Sequence, residues 1–173
     1  MGFLKRGPSV RGLTREEKAA WRREKEKEYP GYLAENEKLH AIVRILTAVR
    51  ILYGGFYLGM QALYGLPLAR GLLMLLSPLF FYFWYTFMLR SGRLFAAAML
   101  LIRGMGIVYG GVAILNMSWL LPWPLLFTMT AAVVMEFTEA VFCIYVLFDA
   151  RAAMAVRLNR VIETAMIAGD RPQ

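Results

Sequence analysis

Two carboxylates lie where carboxylates are costly. Glu136 and Glu139 fall inside residues 124–148, PLLFTMTAAVVMEFTEAVFCIYVLF. That stretch is long and apolar enough to cross a bilayer as a helix, since about 20 mostly apolar residues span the roughly 30 Å of hydrocarbon. Spaced three apart, the two acids share one side of the helix, and that side continues through Thr128, Ala132 and Cys143. An ionisable group at the bilayer centre costs at least about 2.5–3.5 kcal/mol on insertion scales, so it must face a partner or water. Two kinds of chemistry fit: pairing with buried cations, or uptake of a proton or cation.

Cations at matching depth are present in other apolar stretches. Arg103 lies ten residues from Arg93, Arg50 ten from His40, and Glu139 ten from Asp149. If each reference residue marks the membrane edge, a rise of 1.5 Å per residue places all three about 15 Å deep, with Glu136 about one turn further on. Arg50, Arg103, Glu136 and Glu139 are therefore expected to meet as a charge network or ion site, with Arg103 paired to Glu139. Equal numbers of arginine and glutamate favour pairing, because a fully paired carboxylate stays ionised and has no reason to take up a proton.

Four spans are needed to position these residues: about 41–64, 71–89, 94–117 and 124–148. A helix starting near Leu33 should run into the first span, and the turn Gly65-Leu66-Pro67 ends it. Ser77-Pro78 should bend the second span, with neighbouring groups satisfying the freed carbonyl. The run Phe80-Phe81-Tyr82-Phe83-Trp84-Tyr85 is aromatic all round and reads as packing and lipid contact rather than a cofactor site. Arg90-Ser91-Gly92-Arg93 is a tight polar turn. Trp119 and Trp123 mark a membrane–water interface.

Residues 1–38 form a basic arm (1–13) and a charged helix, opened by the capping box Thr14-Arg15-Glu16-Glu17 and broken by Pro30-Gly31. That helix reads either as a solvated one near the headgroups, anchored by Trp21, or as a docking helix for a partner. Residues 150–173 read as an amphipathic tail with its stripe at Met154, Leu158, Val161, Ile162 and Ala165, either lying on the membrane or packing on the N-terminal helix. Residues 39–149 are the membrane domain. Outside the spans, Arg70 is the one basic residue that falls on the far side, so the positive-inside rule puts both termini in the cytoplasm.

The first and third spans resemble each other. Each carries an arginine followed by Tyr-Gly-Gly (Arg50 with Tyr53-Gly54-Gly55; Arg103 with Tyr109-Gly110-Gly111), and each has a Gly-x-x-x-Gly, at Gly55 with Gly59 and at Gly106 with Gly110. A duplicated helical hairpin would account for this. Glycines at that spacing let another backbone approach, so Gly55, Gly59, Gly106 and Gly110 are expected at helix–helix contacts. In the first span a second, polar stripe runs beside them through Thr47, Arg50, Gly54, Tyr57 and Gln61.

The bulk properties agree. The 173 residues are 59% hydrophobic, with mean hydropathy +0.49, against roughly 45–50% apolar in soluble domains. The formal net charge of +8 is explained by topology rather than by nucleic acid. One cysteine permits no intrachain disulfide, and the charged first forty residues lack the early apolar core of a cleavable signal peptide. Arg6 stands where a myristoylation signal needs Ser or Thr. His40 has no second ligand spaced to join it in a metal site, and the motifs of zinc hydrolases, serine hydrolases, paired-cysteine redox sites and phosphate-binding loops are missing.

The expectation is an all-α integral membrane protein: a four-helix transmembrane bundle with charged and amphipathic cytoplasmic helices at its ends. It should be non-enzymatic, without cofactor or metal, seated in the plasma (inner) membrane. Its partners would be the bilayer and either further copies of itself or a larger membrane complex. The competing expectation is a small transporter or channel that uses Glu136 or Glu139 for a proton or cation.

Overall fold

The computed structural model describes residues 15–65 and 68–168. The basic arm, Thr14 of the expected capping box, Leu66, Pro67 and Arg171 lie outside them. The described chain is helical: α1 (Arg15–Glu28), α2 (Tyr32–Leu63), α3 (Leu68–Ser91), α4 (Arg93–Met117), α5 (Trp123–Phe148) and α6 (Ala150–Ala168). Four of these, α2 to α5, contain segments long and apolar enough to cross a membrane.

Short connections force the four long helices up and down. Gly31 joins α1 to α2 with φ +93°, in the left-handed region that glycine tolerates best. Both oxygens of Glu26 receive backbone N–H groups there, from Gly31 and Leu33, each at 2.7 Å. Those donors hold the Glu26 carboxyl below the usual carboxylate range. Gly92, at φ +100°, is the single residue between α3 and α4. Asp149 is the single residue between α5 and α6: its carboxylate accepts from the N–H groups of Arg151 and Ala152, capping α6 as the chain turns. Pro124 sits in the first turn of α5, where a missing N–H costs nothing.

The long helices pack as two antiparallel hairpins, α2 with α3 and α4 with α5, which meet mainly through α2–α5 and α3–α4. In the first hairpin the close approaches are at Gly54 and Gly71. A Cβ on Gly54 would lie 3.1 Å from the Met74 carbonyl oxygen, and one on Gly71 would lie 2.5 Å from Leu58 Cδ1. The Met74 carbonyl is the one that Pro78 cannot serve, and the Ser77 hydroxyl donates to it at 2.8 Å. In the second hairpin a Cβ on Gly110 would lie 2.6 Å from Val133 Cγ2.

Three expectations change here. Gly55 and Gly59 do not pack against the described residues: they are exposed, and an added Cβ would meet none of them within 4 Å. The small-residue stripe of α2 therefore faces outward, and the neighbouring stripe through Arg50, Gly54 and Gln61 turns inward. The reason is electrostatic, because only one side of α2 can face the bundle and Arg50 cannot be left in lipid. The tail is the second change. Instead of lying on a surface, α6 packs against α2, α3 and α5, burying Ala152, Val156, Leu158 and Ile162, which share a core cluster with Trp21 of α1. Its buried side is offset from the expected stripe, since Val161 is exposed. Trp21 joins the same core cluster as Leu39, Met88 and Val146, so it anchors α1 to protein rather than to headgroups.

Candidate functional site

The site is a four-sided box of charges between the hairpins. α2 supplies Arg50, α4 supplies Arg103, and α5 supplies both acids. Arg50 Nε donates to Glu139 Oε1 at 2.5 Å, and its Nη2 donates to Glu136 Oε1 at 3.1 Å. Arg103 Nη1 donates to both oxygens of Glu136, at 3.0 and 2.9 Å. Arg103 Nε lies 2.9 Å from Glu139 Oε2. Each carboxylate thus touches both guanidiniums, and opposite charges alternate around the ring, which sums to zero. The expected Arg103–Glu139 pair is one of four such contacts.

The box is largely shielded. The side chain of Glu139 is 1% exposed, those of Arg50 and Arg103 are 12% and 15%, and that of Glu136 is 23%. Fixed hydrogen bonds at such depth are what make burial of the charges tolerable, because desolvation is repaid only by good geometry and satisfied lone pairs. Gly106 makes room for it: a Cβ there would come within 3.2 Å of Glu136 Oε2. Of the four glycines singled out in the sequence, Gly106 and Gly110 line this hairpin contact; Gly55 and Gly59 lie elsewhere.

Tyr85 and Phe81 of α3 complete the box, although both belong to the aromatic run expected only to pack and to contact lipid. The Tyr85 hydroxyl accepts from Arg103 Nε and donates to Glu139 Oε2, each at 3.3 Å; the Cys143 thiol approaches it at 3.9 Å. Tyr85 is fully buried, and a buried hydroxyl requires such partners. The Arg50 guanidinium stacks 4.8 Å from the Phe81 ring centroid, a cation–π contact in a desolvated setting. The one available signal was spacing: Phe81 and Tyr85 are four apart on the side of α3 away from the exposed Phe80, Tyr82 and Phe83.

A second polar layer lies nearer the end that carries α1 and α6. Tyr32 donates to Asn159 Oδ1 at 2.8 Å, and Asn159 Nδ2 donates to Asn36 Oδ1 at 2.8 Å. Lys38 Nζ donates to the Tyr145 hydroxyl at 2.6 Å, and that hydroxyl donates to Glu35. These bonds tie α6 and α5 to the start of α2. Among the described residues no group of three His, Cys, Asp or Glu side chains is placed to hold a metal ion. Searches of protein-family models, curated proteins and solved structures find no match to the chain.

Proposed function

We propose that the chain is a non-enzymatic membrane protein that serves as a subunit or assembly partner of a membrane complex. Both termini are cytoplasmic, in a plasma or inner membrane. The observation that carries this reading is the closure of the charge box. All four side chains are used against one another, so the arrangement acts as a clamp between hairpins and offers no idle acid to a substrate. The outward face of α2 supports the assembly part: Gly55 and Gly59 leave a flat, open strip on a spanning helix, to which a second backbone can come close.

One observation favours a second reading, transport of a proton or cation. Glu136 keeps 23% of its side chain exposed, while Glu139 is sealed. A partly accessible acid beside a sealed one is the group such a transporter would use. Size measurement in lipid nanodiscs, together with pH-driven flux into liposomes, separates the two. The assembly reading expects a particle larger than one chain and no flux. A single-chain particle with flux abolished by Glu136→Gln would replace it with transport.

A further inference from the structure

Away from the charge box, α4 begins at a cavity. It encloses about 300 Å3 between the α3–α4 turn and the flank of α6, and Arg93, Arg157 and Arg160 line it together with Leu94 and Met154. The Arg160 stem lies over Gly92, its Cδ 3.2 Å from where a glycine Cβ would stand, which directs that side chain along the cavity wall. Three arginines from two elements thus line one hollow. The helix start adds to them. The first turn of α4 holds a cation and no acid, and no side chain caps it. Helix dipoles place partial positive charge at that end, so Arg93 has the wrong sign for its own helix and the right sign for a bound anion.

A shallow apolar groove lies further along α4. It has a volume of about 640 Å3 and is lined by Leu101, Gly104, Met105, Val108 and Val112 among others. Leu94, Leu101 and Val108 are seven residues apart and therefore lie on one side of the helix. All three are exposed, and Gly104 beside them supplies the hollow. Leu101 is about 12 Å from Arg93 along the axis, within the roughly 15 Å depth of one hydrocarbon leaflet. An arginine-bearing cavity at one end of α4, with an apolar groove further along the same side of the helix, has the layout of a phospholipid.

The geometry points to a binding site for an anionic phospholipid, with its phosphate between Arg93 and Arg157 and an acyl chain in the α4 groove. Guanidinium forks match phosphate oxygens in pairs. A zwitterionic headgroup would bring an ammonium among these arginines; a net-anionic one, such as phosphatidylglycerol, would not. The site requires that α4 lies in a bilayer. It does not depend on whether the chain is a subunit or a transporter.

The test is lipid retention. The full-length protein is equilibrated in nanodiscs of equal phosphatidylglycerol and phosphatidylcholine, transferred to detergent, and the lipid carried over is measured by mass spectrometry. Phosphatidylglycerol should be retained preferentially. The double variant Arg93→Gln/Arg157→Gln should lower its retention by about tenfold to thirtyfold, since one arginine beside an anionic headgroup is worth about fivefold. Both residues are exposed, so the variant should keep the wild-type melting temperature. Gly104→Leu, which fills the groove, should also lower retention. Arg151→Gln, an exposed arginine of α6 outside the cavity, should leave it unchanged. Equal retention of the two lipids would overturn the proposal, as would an equal loss in Arg151→Gln. Displacement by soluble glycerol phosphate with no effect of Gly104→Leu would assign the arginines to a free phosphate and overturn it too.

Discussion

Glu139 is the most deeply buried acid of the charge box, and its two oxygens are served differently: Oε1 by Arg50, Oε2 by Arg103 and Tyr85. Removing the Tyr85 hydroxyl leaves part of that satisfaction missing without changing net charge. Tyr85→Phe should therefore cost about 1–3 kcal/mol of stability, the usual penalty for stranding a buried polar partner. Thermal unfolding in detergent measures it, and an unchanged midpoint would mean that water replaces the hydroxyl. Glu26 makes the corresponding prediction at the surface. Its folded carboxyl is depressed by the Leu33 and Gly31 amides, so its contribution is present above the unfolded value of 4.5 and is lost as pH falls through the folded one. Stability of wild type and Glu26→Gln should converge on acidification. The charged members of the box were legible in the sequence because an arginine or glutamate stands out in an apolar run. Tyr85 was not: in a run of six aromatics, composition does not say which ring turns inward.

Which side of a helix faces its neighbours is not fixed by residue order alone. The spans, the turns and the Gly-x-x-x-Gly spacings could all be placed from residue order. The choice between two plausible stripes on α2 depends on what α5 presents, and that is a property of the pair. The two glycine motifs should accordingly behave differently. Gly110→Leu drives a side chain into Val133 and should destabilise the α4–α5 hairpin by about 1–3 kcal/mol or more. Gly55→Leu meets open space and should leave single-chain stability unchanged while weakening assembly. Equal thermal losses from both would contradict the outward placement of Gly55. For α6, periodicity revealed an amphipathic helix but not its resting place, because a bundle end and a membrane surface select the same pattern. Leu158→Ala should cost about 2–5 kcal/mol, as for a core leucine. A tail lying on the membrane would lose far less.

Taken whole, the molecule is two hairpins closed at one end by α1 and α6 and joined at mid-depth by charge. Its orientation in the membrane can be tested with single cysteines in a Cys143→Ser background. A membrane-impermeant thiol reagent added outside should label Gly65→Cys and Ser118→Cys and spare Ser91→Cys; the reverse pattern would invert the proposed topology. Assembly of the bundle depends on whether the charges clamp the hairpins together, and a double-mutant cycle on Arg103 and Glu139 tests that most directly. Glu139→Gln and Arg103→Gln each leave the box with one unbalanced buried charge, which costs about 3–5 kcal/mol in buried pairs of soluble proteins. The double variant leaves Arg50 and Glu136 as a neutral pair in contact at 3.1 Å. Its loss of stability, measured by unfolding in detergent, should be well below the sum of the two single losses. Additive losses would show that Arg103 and Glu139 act independently, and the clamp would have to be abandoned.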